Sequence, residues 1–206
     1  VFDLQNVSGG SASLGSPSQF TLTIQDAVGD HAGDVLVTEV MPDPGAVPDG
    51  DGEYIELYNT TTSEIDLGAN GWTFDVDGDT DAIPATIPPR GFLVLCENPM
   101  SSENGGIRNC DVDYVNGITL NNGGSVIKLL DGGDNQVDLV DYGGSNFPSV
   151  PTGASLVFTG TTANDDGNNW TTATRRERGF AQDQSGDDGS PGRNGAGQNL
   201  QPSVTL

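Results

Sequence analysis

The chain has 206 residues, and its 30 acidic side chains against 7 basic ones give a formal net charge of -23 at pH 7. Nucleic-acid affinity comes largely from Lys and Arg displacing phosphate counterions, so a chain with one lysine, Lys128, argues against nucleic-acid partners and against adhesion to an anionic membrane. With 30 glycines, 12 prolines and 33% hydrophobic residues the composition favours turns and short strands over helices, yet recurring apolar runs still suffice for a core.

In chain order, residues 1–26 read as two strands around a small-residue turn, with Phe20, Leu22 and Ile24 alternating with Thr21 and Thr23 in the second. Residues 27–33 are a short polar linker containing His31, which puts a domain boundary near Asp34. Short strands then follow at Val35–Met41, Tyr54–Asn59, Gly71–Asp75, Phe92–Glu97, Ser125–Leu130, Gln136–Tyr142, Ala154–Phe158 and Trp170–Ala173, separated by Gly, Asn, Asp and Pro. Such spacing predicts an all-β sandwich. The Asp131-Gly-Gly-Asp-Asn135 stretch is expected to be a hairpin turn whose glycines take positive φ. No window carries a helical apolar stripe, and no apolar run approaches the roughly 20 residues of a membrane-spanning helix.

Ordered motifs over about 160 of the 206 residues carry a family likeness. They are Val-Leu-Val-Thr-Glu-Val-Met-Pro-Asp-Pro (35–44), Asp-Gly-Glu-Tyr-Ile-Glu-Leu-Tyr-Asn (51–59), Gly71-Trp72, Ile-Pro-Pro-Arg-Gly-Phe-Leu-Val-Leu (87–95), Leu-Asn-Asn-Gly-Gly-Ser-Val-Ile-Lys-Leu-Leu (120–130), Val-Asp-Leu-Val-Asp-Tyr (137–142) and Gly-Ser-Pro-Gly-Arg-Asn (189–194). In this order they closely resemble a bacterial lamin-tail domain. The resemblance implies an immunoglobulin-like β-sandwich over 34–194, with a tail or linker at 195–206, and a place in secreted or surface-attached bacterial proteins, extracellular nucleases among them. Residues 98–116 depart from the pattern as an insertion. Residues 1–33 resemble the C-terminal hairpin and linker of a Calx-beta domain. A hairpin cut from its sheet needs somewhere to bury Phe20, Leu22 and Ile24, so it is expected to dock or to pair with another copy.

Cys96 and Cys110 are too few for a disulfide scaffold and lack a histidine partner for zinc. A disulfide tying the insertion to the sandwich is the expectation on an extracellular surface. Two unpaired thiols on neighbouring loops are the alternative.

His31 is the sole histidine and lies in the linker, which removes Ser-His-Asp and Cys-His chemistry from the fold. Glu39 and Glu56 sit on strands expected to be neighbours, with Glu53 close by, so an acid and a nucleophile of glycosidase type are the one catalytic device on offer. In the resembled family, glutamates at those two positions belong to the fold motif of a non-catalytic module, so no catalytic residue is assigned. Trp72 is expected in the core. Tyr54, Glu56 and Tyr58 share a strand face, read as a wet sheet face or a sugar platform, with the wet face favoured. Arg175, Arg176 and Arg178 are expected to pair internally or with a neighbouring domain.

Aspartate accounts for 23 of the 30 acidic residues and is concentrated at Asp49 and Asp51, beside Glu53, and at Asp75, Asp77, Asp79 and Asp81. The second group opens like an EF-hand loop, but Thr80 stands where glycine is required and Thr86 where glutamate is. Another oxygen cage for calcium, or a solvated acidic loop, remain the two readings. The function expected is a non-enzymatic extracellular module that spaces, anchors or presents neighbouring domains of the same polypeptide, with protein or polysaccharide at the cell surface as further partners. The alternative is a substrate- or glycan-holding accessory domain of a secreted hydrolase or nuclease.

Overall fold

A computed structural model describes residues 31–114, 118–161, 163–176, 180 and 186–193. Internal contacts divide the chain into Val1–Asp30 and His31–Leu206, and every described residue belongs to the second unit. The Calx-beta-like hairpin, Arg178 and the tail at 195–206 lie outside the described residues.

The elements run β1 (Val35–Met41), a one-turn helix α1 (Asp49–Gly52), β2 (Tyr54–Asn59), β3 (Ile65–Asp66), β4 (Thr73–Val76), β5 (Asp79–Ala82), β6 (Thr86–Ile87), β7 (Phe92–Cys96), β8 (Val112–Asp113), β9 (Val126–Leu130), β10 (Gln136–Asp141), β11 (Leu156–Phe158), a 3-10 turn (Gly167–Asn169) and β12 (Trp170–Thr172). A six-stranded sheet of order β12-β11-β1-β2-β7-β8 faces a four-stranded sheet of order β10-β9-β4-β5, and β3 pairs with β6. All neighbours are antiparallel except β7 and β8. This is the immunoglobulin-like sandwich the sequence predicts.

Period-2 alternation builds the core. Ile55, Leu57, Leu93, Leu95, Leu156 and Phe158 from one sheet meet Phe74, Val76, Ile127, Leu129 and Val140 from the other, with Trp72 buried among them. The eight predicted strands all form, with ends shifted by up to two residues. What the alternation did not signal are the short or polar ones, β3, β5, β6 and β8.

β5 is instructive. The stretch read as an acidic loop is a hairpin: Asp77 and Gly78 take φ of 54° and 103°, the pair of positive φ values that a two-residue type I′ turn requires. Strand pairing then sets Asp75 opposite Thr80 and Val76 opposite Asp79. In the Asp131–Asn135 turn the residue at positive φ is Asp134 (62°), not either of the flanking glycines. Asp131 Oδ1 holds that turn by accepting the Gly133 and Asn135 amides at 2.8 and 3.0 Å. Gly132 is required for a different reason: a Cβ there would run into the Asn70 carbonyl.

β1 carries a register shift between Val37 and Glu39. The Val37 amide donates to Asp138 Oδ2 on β10 at 2.7 Å, and Asn164 Nδ2 donates to the same oxygen at 2.7 Å. A carboxylate thus crosses the sandwich to meet a strand amide at the irregularity. Burial pushes its pKa up to about 6.

Candidate functional site

The middle of the six-stranded sheet is buried on both faces. Glu39 on β1 and Glu56 on β2 are directly opposite in the register, pointing away from the main core, and both are fully buried. Oxygen acceptors at such a place must find donors or destabilise the fold by several kcal/mol. They find them in the hydroxyls of two serines, a threonine and a tyrosine and in a backbone turn distant in sequence. Glu39 Oε1 accepts from the Tyr54 hydroxyl at 2.5 Å, the Ser155 hydroxyl at 2.6 Å and the Ser190 amide at 2.7 Å; Oε2 accepts from the Ser190 hydroxyl at 2.6 Å. Glu56 Oε1 accepts from the Thr38 hydroxyl at 2.6 Å, and Oε2 accepts the Gly192 and Arg193 amides at 2.8 and 3.1 Å.

Both carboxyls therefore grip the Gly189–Arg193 turn and hold it on the sheet. Burial raises the pKa of each, and the charge on Glu39 lifts Glu56 further. Gly189 is needed for the fit, because a Cβ there would meet the Tyr54 hydroxyl, Glu39 Oε1 and Ser155 Oγ. Arg176 supports the same cover: its Nη1 donates to the Asp187 carbonyl at 3.0 Å and its Nη2 to the Gly105 carbonyl at 2.7 Å. Its guanidinium carbon lies 4.1 Å over the Phe180 ring. This is the internal pairing the sequence predicts for that arginine.

A second apolar cluster, Met41, Tyr54, Val94, Cys96, Ile107 and Phe180 with Cys110 against it, completes the cover. The strand face read as wet is thereby corrected. Tyr54 and Tyr58 are 0% and 1% exposed, and neither water nor a sugar ring reaches them. Cys96 and Cys110 form the predicted disulfide, with Cα atoms 5.7 Å apart. It pins the inserted loop where β8 runs parallel to β7, with Leu95 opposite Val112.

The aspartates of the β4–β5 hairpin go separate ways. Asp75 stands beside Lys128 (Oδ1 to Nζ 3.4 Å) and accepts the Gly78 amide and the Thr80 hydroxyl. Asp77 Oδ1 accepts the Val126 amide at 2.9 Å, Asp81 accepts the Ala82 amide, and Asp79 is exposed. Strand alternation places Asp75 on the opposite face from Asp79 and Asp81. Asp49 and Asp51 lie on α1, where Asn122 donates to the first and Asn98 to the second. Among the described residues no three Asp, Glu, His or Cys side chains stand together as a metal cage needs.

His31 lies against the core, its ring 5.2 Å from Trp72 and its Nδ1 2.9 Å from Asp34 Oδ2. Sequence reasoning missed Ser155, Ser190 and Asp138, because serines in a β-rich chain carry no signal until a buried acceptor is found opposite them.

The lamin tail domain family model matches residues 30–144, from just before β1 through β10. It takes in Glu39 and Glu56 and stops short of the turn they hold. Comparison with curated proteins returns no match.

Proposed function

This chain belongs to the lamin tail domain family, an immunoglobulin-like structural and interaction family rather than a family of enzymes, and from that premise we propose that it works as a non-enzymatic extracellular module, spacing or anchoring neighbouring domains of a larger secreted or surface bacterial protein. The observation that carries the reading is the saturation of the glutamate pair. Every oxygen of Glu39 and Glu56 accepts a hydrogen bond from the protein, in a site with no exposure, so neither is free to hold a substrate proton or attack a sugar carbon. The Cys96–Cys110 bridge and the net charge of -23 support an oxidising, extracellular setting.

The alternative of a glycan-holding accessory domain draws no support from the aromatic side chains. Both tryptophans and all four tyrosines are at most 5% exposed, which leaves none of them as a stacking platform.

Fractionation of source cells, with non-reducing peptide mapping of the parent protein, tests the proposal. Recovery from the medium or the cell surface with Cys96 linked to Cys110 is the expected result. Recovery from the cytosol with both thiols open to alkylation would overturn it.

A further inference from the structure

We propose that a divalent cation of the calcium class binds beside α1, between the carboxylates of Glu53 and Glu97. The register that sets Tyr54 opposite Cys96 sets Glu53 opposite Glu97 one step further on, and the Glu97 amide donates to the Glu53 carbonyl at 3.3 Å. Directly opposed side chains have Cβ atoms about 4.5–5.5 Å apart, and like charges in that relation destabilise a sheet. Glu53 is fully buried; one of its oxygens accepts the Leu120 amide at 2.8 Å, and the other, Oε1, is buried with no hydrogen-bond partner. Glu97 Oε2 and the Tyr114 hydroxyl are buried and equally unpartnered. Such orphaned acceptors are rare, and each needs a missing donor or ion to account for it.

The surroundings supply more oxygen and, among the described residues, no compensating charge. The Glu97 carboxylate lies over α1, with Oε1 3.5 Å from where a Cβ on Gly50 would stand. Asp49 and Asp51 project from that turn, and the charges acting on Glu53 and Glu97 are other carboxylates. No three acidic side chains stand at ligand spacing among the described residues. The cation is therefore held by two carboxylates, with carbonyl oxygens and water completing the six to eight ligands calcium takes. Hard oxygen ligands on a small, partly rigid site suit calcium better than magnesium, which demands a tight octahedron.

Terbium emission sensitised by tyrosine excitation, together with thermal melts, tests the site on the full chain. Tyr114 lies close enough to feel both carboxylates and serves as the antenna. About 10 mM calcium, chosen against the ~10⁻⁴–10⁻³ M affinities of extracellular calcium modules, should raise Tm by several degrees over EGTA. Glu97→Gln, and separately Glu53→Gln, should abolish both the shift and the terbium signal. Asp77→Asn combined with Asp79→Asn should retain both. Three results would overturn the proposal: no shift and no emission in the parent chain; a shift reproduced by sodium chloride of equal ionic strength; or loss in the Asp77/Asp79 variant with retention in Glu97→Gln.

Discussion

Glu39, Glu56 and Asp138 are buried acids whose folded-state pKa values are raised, by burial first in each case. The native state therefore binds protons more tightly than the unfolded chain, and stability falls wherever the unfolded chain has already released them. The contribution is complete below the unfolded values of 3.8 to 4.5 and is lost as pH climbs through the folded ones, about 6 for Asp138 and raised above the ordinary glutamate value for Glu39 and Glu56. Melting temperature in high salt is accordingly expected to decline steadily from pH 5 to pH 8; a rise over that interval would mean the pair is ionised and stabilising. Gly189→Ala should cost about 1–3 kcal/mol in urea unfolding through overpacking, because its Cβ would lie 2.8 Å from Glu39 Oε1 and 3.0 Å from Ser155 Oγ. Of these residues the sequence marked Glu39 and Glu56, the pair on neighbouring strands. It could not mark their donors, since Ser155 and Ser190 lie 116 and 151 residues from Glu39 along the chain. Asp138 was hidden for a similar reason: in Gln-Val-Asp-Leu-Val-Asp it reads as the polar position of a half-exposed strand, and only the irregularity in β1 gives it an inward task.

Strands with hydrophobic alternation were legible as elements, and those without it were not. β5 reads Asp-Thr-Asp-Ala and packs little, yet Asp77-Gly78 before it is a strong short-range hairpin signal, which the concentration of acidic residues obscured. Among the described residues β5 is the edge of the four-stranded sheet, and charged side chains on an edge strand keep other strands from adding to it. Asp79→Val with Asp81→Val should therefore produce concentration-dependent oligomers in analytical ultracentrifugation, with the monomer persisting for the parent chain. The bridge between β7 and the insertion closes a loop of 14 residues in sequence separation. Chain entropy assigns such a loop about 3 kcal/mol, so reduction should lower Tm by roughly 10 °C. Unfolding should stay cooperative, because the cysteines sit outside the main core. β2 shows where alternation misleads: Tyr-Ile-Glu-Leu-Tyr-Asn has the pattern of a one-sided strand, but all six residues are buried. The polar side faces a covering layer instead of water.

At the scale of the molecule, that covering layer distinguishes this chain from a plain two-sheet sandwich. The turn at Gly189–Arg193 returns across the outer face of β1 and β2 and is fastened there by a glutamate pair that, seen as sequence alone, was the one candidate for catalysis. Fold class, disulfide and core tryptophan follow from local pattern and family resemblance. The role of the pair does not, because it depends on a segment brought back from the far end of the domain. The account thus turns on Glu39 being coupled to the turn it holds, and a double-mutant cycle between Glu39→Gln and Ser190→Ala in equilibrium urea unfolding measures this directly. The fastener predicts a coupling energy of about 1–3 kcal/mol, with each single variant destabilised. Costs that add to within ~0.5 kcal/mol would contradict it and return Glu39 to the residues whose task is unexplained.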